Sequence, residues 1–455
     1  MGQKNNMFSA MMAGVLEKLL WLYAILIPFM RVPPLPIVGE KIQYSDAVFM
    51  VILGIWAWLF LFGKTRLKKT PLLLPAVLML VFLLPSFANS PLWLKSFIEF
   101  AGISYLVVLY FLLNQLVLSK ETWWRIVRLW VWVAFIISIT GIIAYLLPYF
   151  GVKNMLLLAS HDLLGGADPS LVFRLRSVFR HPGMLATYLH VSVVFASILI
   201  FKPKDKKANL LGYATVVLCF IAAFLTKTRT NAGIAVTIFL ILVLFQKKGI
   251  WISIAKYAFF TYALILTVVV IASTIWWIAP VKFYKDAGGT SGGVEINLAH
   301  IPYFTHQKAS FDMMRAHPFV GVGLGMYNYK SADYITWEEA KDAYRVIFPD
   351  ITENDIDKYK RGIDPHSTYL AWGAEAGTVG LAAILWFLFQ IGYALFKKMR
   401  TQTDVSEIYI YGALLAGLAG FALNGFYVDI LTMRHLWFML GMAAVFMQIC
   451  AERRS

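Results

Sequence analysis

His366 is the residue most suited to proton chemistry. It stands in Asp364-Pro365-His366-Ser367-Thr368, immediately before an apolar run. Ser367 or Thr368 can cap the helix that this run forms, and Pro365 keeps Asp364 extended. The imidazole then sits at a helix N-terminus, where the positive end of the helix dipole lowers its pKa and leaves it able to accept a proton. Glu375 follows inside the apolar run. A carboxylate there is either a structural hydrogen-bond acceptor or part of the site. Arg229 lies in Leu225-Thr226-Lys227-Thr228-Arg229-Thr230, a short turn between two apolar runs. Its guanidinium either snorkels to a membrane interface or holds an anion, because it stays charged and binds phosphate through two parallel hydrogen bonds.

Two further segments bear on the same chemistry. Arg174, Arg176, Arg180 and His181 precede Pro182-Gly183. They are read either as a solvated charge run or as a phosphate-binding rim, with Arg180 nearest the membrane. His317-Pro318-Phe319-Val320-Gly321-Val322-Gly323-Leu324-Gly325 carries three alternating glycines. No strand-then-helix context supports a nucleotide fingerprint. The segment either turns backbone N–H groups toward an anion or re-enters tightly toward the membrane; the second is the simpler reading.

The elements that position these residues are hydrophobic. The chain has 455 residues, 60% of them hydrophobic and 15% charged. Soluble domains hold about 45–50% apolar and about 25% charged residues, so a soluble globule, a disordered chain and a disulfide scaffold are excluded. The two cysteines, Cys219 and Cys450, lie in apolar runs and form no metal motif. About twelve windows are long enough to span a bilayer: 14–32, 45–62, 71–89, 96–118, 126–149, 183–201, 209–226, 231–246, 254–280, 367–396, 408–428 and 435–451. The first is read as a retained anchor, since no small-residue cleavage site follows it.

Loop charge sets the orientation. With the N-terminus in the cytoplasm, the inner loops hold Lys64 to Lys69, Lys120 to Arg128, Lys202 to Lys207, Lys247 and Lys248, and Lys397 to Arg400; Arg453 and Arg454 follow at the C-terminus. The net charge of +16 is thereby explained by the membrane surface and not by nucleic acid. Two outer segments are long, 150–182 and 281–366. The second includes the glycine-rich stretch 288–293 and an acidic, aromatic stretch from Trp337 to Tyr359 expected to form one or two surface helices. Of the eight histidines, seven fall in outer loops or at outer helix ends: His161, His181, His300, His306, His317, His366 and His435. His190 lies two turns deeper. This asymmetry places proton chemistry outside. No HExxH motif is present, and the spacing of His300, His306 and His317 suits no single helical face. No metal site or cofactor is therefore expected.

At these residues the chain resembles the O-antigen ligase and O-antigen polymerase family of bacterial inner-membrane glycosyltransferases. His366-Ser367, nine residues, then Gly377-Thr378-Val379-Gly380 matches the family's ligase motif. Pro318 to Gly325, Thr226 to Arg229 and Arg180 to Leu185 resemble three other family segments, although Arg180-His181-Pro182-Gly183 departs from the usual asparagines. The family often carries an arginine and a tryptophan ahead of the His317-Pro318 pair. Here that stretch is Tyr303-Phe304-Thr305-His306-Gln307-Lys308, leaving Lys308, His306 or Arg315 for the cationic role.

The resemblance implies an all-α polytopic membrane protein, a single domain over 1–455 with a GT-C-like arrangement of about 12 transmembrane helices. It implies a metal-independent, inverting glycosyltransferase with both termini cytoplasmic and the active site on the extracytoplasmic face. The donor would be an undecaprenyl-diphosphate-linked glycan and the acceptor a hydroxyl of a glycan or glycolipid. His366 is the expected base. Arg229 and Arg180 are the expected cations for the leaving diphosphate. Lys227, His181, Lys308, Arg315, Ser367, Glu375 and Arg434 complete the expected binding set. A polyprenyl-glycan flippase or other transporter is the rival; it needs charged or broken helices at mid-membrane.

Overall fold

The computed structural model describes residues 2–30, 42–150, 152, 161–163, 173–202, 205–244, 302–345, 352–362 and 364–452. The expected span 254–280, the glycine-rich stretch 288–293, His300, Lys247, Lys248, Arg453 and Arg454 lie outside the described residues.

Apolar runs become helices, and polar or proline residues end them. The order is α1 (Gly2–Leu26), α2 (Tyr44–Leu61), α3 (Leu73–Leu83) with a 3-10 continuation Leu84–Asn89, α4 (Trp93–Leu116), α5 (Lys120–Leu146), α6 (Pro182–Ile200), α7 (Lys206–Thr226) and α8 (Asn231–Leu244). Four polar helices follow: α9 (Pro302–Ala316), α10 (Tyr327–Tyr334), α11 (Trp337–Arg345) and α12 (Glu353–Gly362). The chain closes with α13 (Thr368–Thr401), α14 (Val405–Asn424) and α15 (Arg434–Glu452). Helix starts follow capping chemistry: Ser119, Asp205 and Asp404 accept from Thr122, Ala208 and Ser406 amides. Pro182 opens α6, where its missing N–H costs nothing.

Among the described residues eight helices, α2, α4, α5, α6, α7, α13, α14 and α15, are long and apolar enough to cross a membrane; α3 and α8 are shorter apolar helices. The architecture is that of an all-α polytopic membrane protein. Helix α1 departs from the expected window 14–32: it begins at Gly2 and ends at Leu26, short of Pro28, which cannot donate a helical hydrogen bond. A short antiparallel ribbon also interrupts the helical pattern. Its strands β1 (His161–Leu163) and β2 (Phe173–Leu175) pair His161 with Leu175.

The core lies around α6, which is buried on nearly every side, and α15. Indoles on α5 anchor both. Trp130 donates to Ser192 Oγ at 3.0 Å, Trp123 to the Met442 carbonyl at 2.9 Å, and the Trp130 ring stacks on Tyr188 and Phe438. A separate small core of Ala309, Ile335, Ala340, Ala343 and Ile356 ties α9 to α11 and α12. The stretch expected to form surface helices therefore does so as α11 and α12, each with its apolar face covered.

Candidate active site

Two adjacent residues, Asn424 and Gly425, gather the helix ends that carry Arg229 and His366. Asn424 Oδ1 accepts the Gly233 amide of α8 at 3.0 Å. The Gly425 carbonyl accepts the Thr368 amide of α13 at 2.7 Å. Thr368 Oγ1 then donates to the Val428 carbonyl and accepts from the Ile430 amide. Arg229 is only four residues before Gly233, and His366 two before Thr368. The turn bearing Arg229 is held by its own hydroxyls. Thr226, Thr228 and Thr230 join Oγ1 to Oγ1 at 2.9 and 2.6 Å, and Asn231 Nδ2 donates to the Ala223 carbonyl at 2.7 Å. Arg174, buried on β2, donates from Nε to the Thr226 carbonyl at 3.2 Å. That bond brings the first long loop to the same place.

His366 sits where these pieces meet. Burial lowers its pKa below the ordinary histidine value; Asp364 opposes that shift, and the charges of Arg229 and Arg174 add to it. The expected direction is found, but burial is its first cause. His306 on α9 faces the same region. Burial first, then the charge of His366, brings its pKa down to about 4, so it is neutral at neutral pH. Its Nδ1 lies 3.0 Å from the Tyr327 hydroxyl, which donates to the His306 carbonyl at 2.8 Å. Burial also pushes the Asp429 carboxyl up to about 6; Trp372 Nε1 and the Leu431 amide donate to its Oδ1.

The glycine segment is a re-entrant turn docked into a broken helix. Helix α13 loses helical geometry at Gly377, with φ 66° and ψ −170°. The backbone groups freed there are taken up by the turn: Val322 and Gly323 amides donate to the Ala374 and Glu375 carbonyls, and Thr378 and Val379 amides to the Pro318 and Phe319 carbonyls. Both oxygens of Glu375 are engaged, Oε2 by the Gly325 amide at 2.8 Å and Oε1 by the Tyr327 amide at 3.0 Å. Of the two readings of Glu375, the structural acceptor is the one observed. The stretch 366–380 thus holds two devices: His366 just ahead of the N-cap of α13, and Gly377 where the turn docks.

The remaining expected residues are spread around this centre. Ser367 is the N-cap of α13, accepting from Leu370 and donating to the Gly425 carbonyl. Lys227 caps α7 with φ 50° and points to the exterior. Arg180 is exposed in the turn before α6, and His181 caps α6 by accepting the Gly183 amide on Nδ1 at 3.1 Å. Lys308 pairs with Glu339 at 2.6 Å, and Arg315 lies over Phe311. Arg434 forms a two-pronged pair with Asp46 of α2, at 2.7 and 2.6 Å, beneath the Tyr105 ring. His190 and His435 are interior, hydrogen-bonded to Thr237 and Thr187.

Arg174, a member of the same basic run as Arg180, acts on His366 together with Arg229. Asp364 was read only for its backbone, although its spacing of two from His366 is that of an Asx turn. Among the described residues no group of three or more His, Cys, Asp or Glu is placed to hold a metal ion.

Comparison with known proteins bears on this arrangement. No curated protein matches the chain. Residues 214–385 match the family model described as O-antigen ligase. The matched stretch runs from within α7 to within α13 and encloses Arg229, His306, the re-entrant turn, His366 and Gly377. This match supports assigning the chain to the O-antigen ligase/polymerase family.

Proposed function

We propose that the protein transfers a glycan from undecaprenyl diphosphate to an acceptor hydroxyl at the extracytoplasmic face of a bacterial inner membrane. The observation that carries this reading is a half-buried imidazole with a lowered pKa, on which two guanidinium groups from separate elements act. His366 takes the proton from the acceptor hydroxyl. The hydroxyl oxygen bonds to the anomeric carbon, the bond from that carbon to the diphosphate breaks, and the configuration inverts. Undecaprenyl diphosphate leaves with the bonding pair. Arg229 and Arg174 stabilise the charge that grows on it, with Arg180 and Lys227 at the exposed rim. In this reading guanidinium groups supply the positive charge, and no metal or other cofactor takes part.

The test is a reconstituted assay. Purified protein in vesicles receives a glycan on undecaprenyl diphosphate, with and without a separate acceptor. Glycan transfer accompanied by release of undecaprenyl diphosphate supports the reading. A ladder from donor alone identifies a polymerase; a product that requires the acceptor identifies a ligase. Movement of the intact lipid-linked glycan across the bilayer with no cleavage overturns the reading in favour of a transporter.

A further inference from the structure

We propose that Asp364 is the positioning residue for His366, holding both its main chain and its ring so that Nδ1 carries the proton. This rests on the transferase reading above. His366 has φ 46°, a left-handed backbone that is unfavourable for a non-glycine residue. Something must hold it there. On the C-terminal side, Ser367 and Thr368 are tied to Gly425. On the N-terminal side, Asp364 Oδ1 accepts the His366 amide at 2.8 Å. The same oxygen lies 3.3 Å from His366 Nδ1. One carboxylate oxygen therefore meets the backbone and the ring together, and the intervening Pro365 limits Asp364 to an extended conformation that makes this reach short.

The groups facing His366 come from four elements: Asp364 from its own loop, Arg229 from the α7–α8 turn, Arg174 from β2 and His306 from α9. His306 is neutral, and the two arginines oppose protonation. Asp364 supplies the negative charge that favours it. When His366 takes a proton from the acceptor, Asp364 is placed to receive the Nδ1–H hydrogen bond and offset the imidazolium charge. Which ring nitrogen is the base is decided by the partner of the other. Asp364 is 60% exposed, so solvent screens its charge and its pull on the His366 pKa is modest.

The experiment compares full-length wild type with Asp364→Asn, Asp364→Ala and Asp364→Glu. The first readout is the pH profile of kcat/KM for glycan transfer. The second is the pH dependence of His366 modification by diethyl pyrocarbonate, read by mass spectrometry, which does not depend on transfer. In Asp364→Asn both midpoints are expected to fall by about half a pH unit, because the anion that favours imidazolium is gone. Transfer kcat falls about tenfold with donor KM unchanged. Asp364→Ala, which also loses the backbone acceptor, falls further. Asp364→Glu restores the midpoint more than the rate. An unmoved midpoint in folded Asp364→Asn overturns the assignment, whether or not the rate falls. If that variant does not fold, an unmoved midpoint in Asp364→Ala overturns the assignment instead. A wild type that transfers no glycan but shows the midpoint shift defeats the transferase reading while leaving the Asp364–His366 coupling in place.

Discussion

Thr378 donates both its amide and its hydroxyl to the carbonyl oxygen of Pro318, each at 2.7 Å. Two residues sixty positions apart thereby fasten a re-entrant turn to the place where helix α13 breaks. The break exists because Gly377 takes φ 66°. A Cβ there would lie 2.4 Å from the Phe319 carbonyl carbon, so neither the conformation nor the space admits a side chain.

Gly377→Ala is therefore expected to destabilise the protein by about 2–4 kcal/mol, through strain and loss of the docked turn. Thermal unfolding in detergent checks this. Unchanged stability would mean that the turn is not held by the break.

Glu375→Ala removes the acceptor for two partly buried amides, Gly325 and Tyr327. Each unsatisfied amide costs about 1–3 kcal/mol. The expected result is lower stability and faster proteolysis between residues 317 and 327, with Glu375→Gln intermediate because one carboxylate oxygen is replaced by an NH2 donor. Glu375→Ala with full stability and a raised donor KM would instead assign it to substrate.

Much of this organisation was legible in the sequence because membrane helices announce themselves by composition. The windows 45–62, 183–201, 209–226 and 408–428 coincide with α2, α6, α7 and α14 to within a few residues. His366 and Arg229 were legible for the same reason: a polar group beside an apolar run stands out. What was not legible was pairing across the fold. Arg434 reads as a basic residue at a helix end, and only the fold, which brings the start of α15 to the first turn of α2, reveals Asp46 as its partner. Arg174 stands in a basic run in which Arg180 lies nearer the membrane, and only the packing of β2 against α5 and α7 buries it. Glu375 reads as a misplaced charge until the turn that supplies its two donors is folded onto it.

Arg434 and Asp46 form a largely buried ion pair. Removing either partner leaves an unpaired charge, which costs about 3–5 kcal/mol. Arg434→Ala and Asp46→Ala are each expected to lower stability strongly, and the exchange of the two residues to recover part of it. Recovery of stability with no recovery of transfer would give Arg434 a role at the substrate as well.

Arg229 and Arg174 both lower the His366 pKa. The base must be neutral to work, so activity is expected to persist below the unperturbed histidine value of about 6.5 and to fall as His366 protonates. Removing either cation raises that pKa, so the acid limb of kcat/KM moves to higher pH in Arg229→Ala and Arg174→Ala. This is opposite in sign to the shift expected for Asp364→Asn. Each arginine variant should also lose about 100-fold in rate through weaker charge stabilisation. An acid limb that stays in place would separate these arginines from His366.

The most direct measurement is the release of undecaprenyl diphosphate from a lipid-linked glycan by purified wild type, His366→Ala and Arg229→Ala, each in EDTA. Wild type is expected to release diphosphate in step with glycan transfer, and both folded variants to lose at least 100-fold of that rate. Equal release by His366→Ala, or wild-type activity abolished by EDTA and restored by a divalent cation, would contradict base catalysis by His366 or charge stabilisation by arginine alone.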